Sequence, residues 1–183
     1  MRTVTLYIAM SLDGFIADRH GGVDWLYGNT PDDNGGSYES FAAGVDTVIM
    51  GRRTYDQITA ELSVGAWPYE GMDCYVLTHR PAAPAPSVTF TDETPAALIA
   101  RFKSLPGRGI WICGGAATAM QFVRAGLVDE YRISVIPALL DEGVRLFDAP
   151  GAAQRLTLTG VSEIGGIAEL IYRYDTTFNN REV

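Results

Sequence analysis

Val48-Ile49-Met50-Gly51-Arg52-Arg53-Thr54-Tyr55 carries the densest chemistry in this chain: an apolar run stops at a glycine and is followed by two arginines and a threonine. A helix opening there would present free backbone N–H groups, a dipole that favours negative charge, and cationic side chains beside it, which together make an anion site. Arginines at a helix start are unfavourable unless an anion offsets them. A second junction follows downstream, where Ile110-Trp111-Ile112-Cys113 runs into Gly114-Gly115 and then Ala116-Ala117-Thr118. Two such strand-to-helix turns suit a nucleotide diphosphate held between them: Gly51 and Gly114-Gly115 admit the backbone, while Arg52, Arg53 and Thr54 supply donors. Thr78-His79-Arg80 lies just past another apolar run, where open α/β sheets bind ligands, and an arginine there suits a ribose 2′-phosphate.

The elements that must position these groups can be read from periodicity and punctuation. Thr3 to Met10 is apolar on both faces, as in a central strand. Phe15-Ile16-Ala17 is a short extended piece, and 18–36 is a long polar loop of the kind that often carries function. Helices are expected over 37–43, from Arg53 to about Thr59, over 92–104 and over 116–124; in the third, Thr94 suits the N-cap and Pro95 the first helical position. Strands are expected over 46–50, 73–78, 87–90, 109–113 and 130–136. Beyond them, 154–162 and 167–174 alternate around Gly165-Gly166 as an antiparallel hairpin. Strands and helices alternate and then strands dominate, which implies an α/β fold: a mixed, mostly parallel sheet with flanking helices and an antiparallel C-terminal hairpin. With no repeat or linker, residues 1–183 read as one domain.

Composition narrows the function. The formal net charge of -8 argues against non-specific nucleic-acid binding. No apolar run approaches the roughly 20 residues of a membrane span. The first residues alternate like a strand rather than a signal peptide, and Cys74 and Cys113 lie in apolar runs as free thiols do, so a cytoplasmic protein is expected. Two cysteines and two histidines make a metal site unexpected, and no zinc-deaminase signature is present. Asp13 suits a turn in which it bonds neighbouring backbone N–H groups, and Trp111 reads as core.

With these junctions placed, the chain resembles the dihydrofolate-reductase-like superfamily, and within it the reductase domain of bacterial riboflavin biosynthesis, the RibD C-terminal family. The resemblance runs through Ser11-Leu12-Asp13-Gly14-Phe15-Ile16-Ala17, Asp24-Trp25, Met50 to Tyr55, Tyr75 to Arg80, Gly114-Gly115, Gly126 to Glu130, Leu139-Leu140 and Leu146-Phe147. It implies a stand-alone reductase that transfers hydride from NADPH to a heterocycle resembling 5-amino-6-(5-phosphoribosylamino)uracil. Ala9 and Ile16 would flank the nicotinamide, Trp25 and Tyr38 would face the substrate, and the chain would pair as a homodimer. Dihydrofolate reduction is the alternative, although that family's proton-donating carboxylate falls by ungapped counting on Gly35, with Asp33 and Glu39 as neighbours, and Ala119 stands where a tyrosine is common. A catalytically silent NADPH-binding sensor or scaffold is the reading from another class.

Overall fold

A computed structural model describes residues 1–26, 37–148 and 151–175. Its centre is an eight-stranded sheet in the order β5-β4-β3-β6-β1-β7-β10-β9. The strands are β1 (Val4–Ser11), β3 (Val45–Gly51), β4 (Asp73–Leu77), β5 (Val88–Thr91), β6 (Gly109–Gly114), β7 (Glu130–Ile136), β9 (Leu156–Ile164) and β10 (Ile167–Tyr174). All pairings from β5 to β7 are parallel; β10 runs antiparallel to β7, and β9 to β10. β1 lies between β6 and β7, which is why both of its faces are apolar.

The two faces divide the core. Val4, Leu6, Ile49, Ile110, Ile112 and Ile133 point to one side, where α3 (Pro95–Lys103) and α4 (Ala116–Arg124) cover them with Leu98, Phe102, Met120 and Phe122. The alternate residues Val48, Met50, Cys74, Val76 and Trp111 face the other way, under Phe41 of α1 (Ser37–Ala43), Ile58 and Tyr69. α2 (Arg52–Gln57) runs directly into a π-helical turn, Ile58–Leu62.

Local chemistry explains the boundaries. Thr94 Oγ1 accepts from Ala97 N at 3.3 Å and Pro95 opens α3, so the regular helix begins three residues later than the polar run at Asp92 suggests. β2 (Phe15–Asp18) pairs with β8 (Gly143–Arg145) in a separate two-stranded sheet. The three residues of β8 are too few to show a period, and the sequence reading has no strand there.

Asp13 holds this second sheet to the first. Its carboxylate accepts from Ser11 Oγ at 2.5 Å, Leu140 N at 3.0 Å and Asp141 N at 2.8 Å. Asp141 sits at φ 66, a strained conformation that these bonds help to hold. The Ser11 hydroxyl, and after it the two N–H groups, keep the Asp13 carboxyl below the usual carboxylate range. A lowered folded-state value stabilises the protein above the unfolded value of about 4 and loses that effect as pH falls through the folded value. Asp13→Asn therefore melts below wild type at neutral pH, and the gap closes as the pH drops below about 4. Thermal melts across that range check this, and a gap unchanged at low pH would show that the charge contributes nothing.

Candidate functional site

β3 and β6 are parallel neighbours with Met50 opposite Gly114, so both strand-to-helix turns emerge side by side at the carboxyl edge of the sheet. That is where open α/β sheets bind their ligands. A cavity of about 670 Å³ opens there, within the size range of cofactor and ligand sites. Gly51, Thr54 and Gly114 to Thr118 line one end of it, with Arg52 and Arg53.

The two turns interlock. A Cβ at Gly51 would collide with Thr118 Oγ1, and one at Gly115 would come within 3.0 Å of Thr54 Oγ1. Each junction's glycine thus makes room for the other junction's threonine. Gly115 also sits at φ 81, where L side chains are strained. A Cβ at Gly114 would make only ordinary packing contacts, 3.8 Å from Thr54 Cγ2. Gly115 has no side chain to cap α4, and among the described residues the N–H groups of Ala116, Ala117 and Thr118, which line the cavity, have no side-chain partner.

The two arginines differ. Arg52 Nε donates to Asp56 at 2.7 Å, and its guanidinium lies 5.8 Å over the Phe90 ring. Arg53 is exposed and has no ion-pair partner among the described residues. The free cation of the pair is therefore Arg53.

Ala9, Ile16 and Tyr38 line the cavity. Thr78, His79 and Arg80 lie outside the lining, one step past Leu77, which belongs to it. Arg80 N donates to Thr78 Oγ1 at 3.0 Å, a tight turn whose tip exposes His79 and Arg80. Trp25 is also off the wall: its Nε1 donates to Gly22 O at 3.2 Å, while its neighbours Val23 and Leu26 are on it. Glu39 is exposed on α1 and is absent from the lining; Asp33 and Gly35 fall outside the described residues.

Several wall residues escaped the sequence reading. Tyr7, Trp111, Cys113, Ser134 and Tyr69 also line the cavity. Alternation was the available signal: Tyr7 shares a strand face with Ala9, and Ser134 is the β7 partner of Ala9. Trp111 is core and wall at once, buried at 6% exposure yet lining the cavity, with Nε1 donating to Tyr7 O at 2.9 Å. Gln57 anchors the rim by donating to Gly21 O at 2.9 Å, while Asp18 shapes the same turn by accepting from His20 N and Gly22 N.

Comparison with known proteins places this architecture. The chain is 39% identical over 172 residues to the uncharacterized protein YwjB of Bacillus subtilis strain 168, across 93% of this chain and 97% of that one. It is 29% identical over 186 residues to YyaP of the same strain, also uncharacterized, across 95% and 96% of the two chains. A candidate riboflavin biosynthesis protein from Shewanella sp. PV-4 superposes with a TM-score of 0.83 and 26% identity over 96% of this chain and 99% of that one. The Thermotoga maritima diaminohydroxyphosphoribosylaminopyrimidine deaminase/5-amino-6-(5-phosphoribosylamino)uracil reductase superposes with a TM-score of 0.71 over 95% of this chain and 57% of that longer one. At 16% identity, that likeness is one of fold. The model of the RibD C-terminal domain matches residues 2–168, nearly the whole chain, and the protein belongs to that family.

Proposed function

We propose that this protein is an NADPH-dependent reductase that transfers hydride to a heterocyclic substrate. The observation that carries the reading is the pair of adjoining glycine turns at one end of the cavity, with an uncapped helix start and the uncommitted Arg53 beside them. NADPH, when bound, supplies the hydride; the chain binds, orients and excludes water. The N–H groups of Ala116 to Thr118 and the Thr54 hydroxyl hold the diphosphate, and Arg53 and Arg52 balance its charge. Ala9 and Ile16 would flank the nicotinamide, and Arg80, past the end of β4, would take the 2′-phosphate. A homodimer belongs to this reading, since the edge strand β9 leaves Leu158 and Val161 exposed for a second copy to cover.

Removing one charge-assisted phosphate contact costs about 1.5–3 kcal/mol. Arg80→Ala therefore weakens NADPH by roughly ten- to hundredfold and leaves NADH nearly unchanged, as calorimetric titration with both cofactors will read. Equal losses for both would remove the 2′-phosphate assignment. One observation favours binding without turnover: among the described wall residues there is no Asp or Glu to serve as proton donor. Steady NADPH oxidation with any pyrimidine or pterin excludes that second reading, and dihydrofolate turnover competed by methotrexate would identify a folate enzyme.

A further inference from the structure

One part of the cavity wall, gathered around Trp111, is built of neutral groups. Tyr7, Tyr38, Tyr69, Trp111, Cys113 and Ser134 form its wall. Trp111 is the hub: its ring centroid lies 5.4 Å from Tyr69, 5.8 Å from Tyr38 and 6.3 Å from Tyr7. Tyr69 Oη and Cys113 Sγ are hydrogen-bonded at 3.1 Å. Burial pushes the Cys113 thiol up to about 12 and the Tyr69 phenol above its usual range, so both remain protonated and uncharged at neutral pH.

The cation stacked on the wall residue Tyr7 is already matched. Arg132 is not on the wall: its guanidinium lies 5.6 Å over the Tyr7 ring and 5.5 Å over Phe41, and it pairs with the buried Glu169. A phosphate brought here would meet Glu169 along with Arg132. Arg145, next to the wall residue Val144, is stacked 4.5 Å over Phe15 and directed to Asp13 O.

We infer that this part of the cavity accepts an uncharged planar heterocycle without a phosphate group, held by the aromatic wall and the hydroxyl and thiol edges. The inference rests on the NADPH reading for what the glycine and arginine turns hold, and narrows its substrate class. It separates this chain from the phosphoribosyl compound named in the Thermotoga maritima enzyme's description. An aromatic wall favours ring stacking, whereas a phosphate dianion that gives up its hydration needs charge-assisted donors.

Matched parent and ester pairs test this: riboflavin against FMN and uridine against uridine 5′-monophosphate, titrated calorimetrically into the full chain with and without saturating NADP⁺. The expected result is that in at least one pair the uncharged parent binds ten-fold or more tightly than its ester. Tyr38→Arg, which adds a cation at an exposed wall position, should narrow or invert that ratio. An ester that binds as well as its parent, or no binding by either parent, overturns the inference. Failure of the NADPH reading is seen separately, as no binding of NADP⁺ itself, and the parent-to-ester ratio on the free protein still decides the phosphate question.

Discussion

Glu169→Ala will be among the most damaging single substitutions in this protein, at about 3–5 kcal/mol, because it strands a charge inside the fold. The Glu169 side chain is 6% exposed and that of its partner Arg132 19%, at 3.4 Å. Arg132 is already under-satisfied: among the described residues its buried Nε has no hydrogen-bond partner, and its guanidinium lies over the faces of Tyr7 and Phe41. Ring faces contribute about 0.5–2 kcal/mol to a cation, too little to replace a carboxylate. The pair Arg173 and Glu130 is the control. Arg173 is 67% exposed, and Arg173→Ala should cost no more than about 1 kcal/mol. Denaturant melts compare the two. Replacing both members of the buried pair by apolar residues of similar size, as in Arg132→Met with Glu169→Leu, should recover most of the loss, since the penalty comes from the unmatched charge. If Glu169→Ala behaved like Arg173→Ala, Arg132 would have to reach water or another acceptor when Glu169 is gone.

That ion pair also marks the limit of what the sequence makes legible. Arg132 and Glu169 lie on different strands and meet only because β7 and β10 pair antiparallel, with Glu169 opposite Ser134. No local pattern announces such a meeting. Features fixed by neighbours in the chain were legible: Gly115 and Gly126 bracket α4, Thr94 and Pro95 open α3, and Gly165-Gly166 turn β9 into β10. Asp13 stands between these cases. Its short side chain and position announce a carboxylate that bonds backbone N–H groups, and Ser11 is local, yet the N–H groups it receives belong to Leu140 and Asp141. The candidate site divides the same way. Its glycine and arginine turns are written in contiguous motifs, whereas the aromatic wall is assembled from α1, β1, β6, β7 and the segment carrying Tyr69; of its rings the sequence assigned Tyr38 to the substrate and Trp111 to the core, and it singled out neither Tyr7 nor Tyr69.

Gly51→Ala should cost about 1–3 kcal/mol of stability and, with it, cofactor binding, and the reason distinguishes two roles for that glycine. Gly51 has φ -84 and ψ 160, which alanine adopts without strain, so the backbone is not the problem. The new methyl group would meet Thr118 Oγ1 instead. Thr118 is 7% exposed and branched at Cβ, so turning its side chain only exchanges the hydroxyl for a methyl. Overpacking at this seam pushes α4 away from β3 and moves the N–H groups of Ala116 to Thr118 off their common target. The double variant Gly51→Ala/Thr118→Ala removes the collision while keeping those N–H groups and Arg53. It should melt within about 1 kcal/mol of Thr118→Ala alone, as expected when two substitutions are coupled through one contact. On this account NADPH binding returns with stability, to within roughly tenfold of the Thr118→Ala protein. A double variant that folds normally but fails to bind NADPH would mean that a phosphate, and not only the neighbouring threonine, needs the space at Gly51. Melting and titration of the same preparations therefore separate a glycine that lets two turns interlock from one that admits the ligand directly.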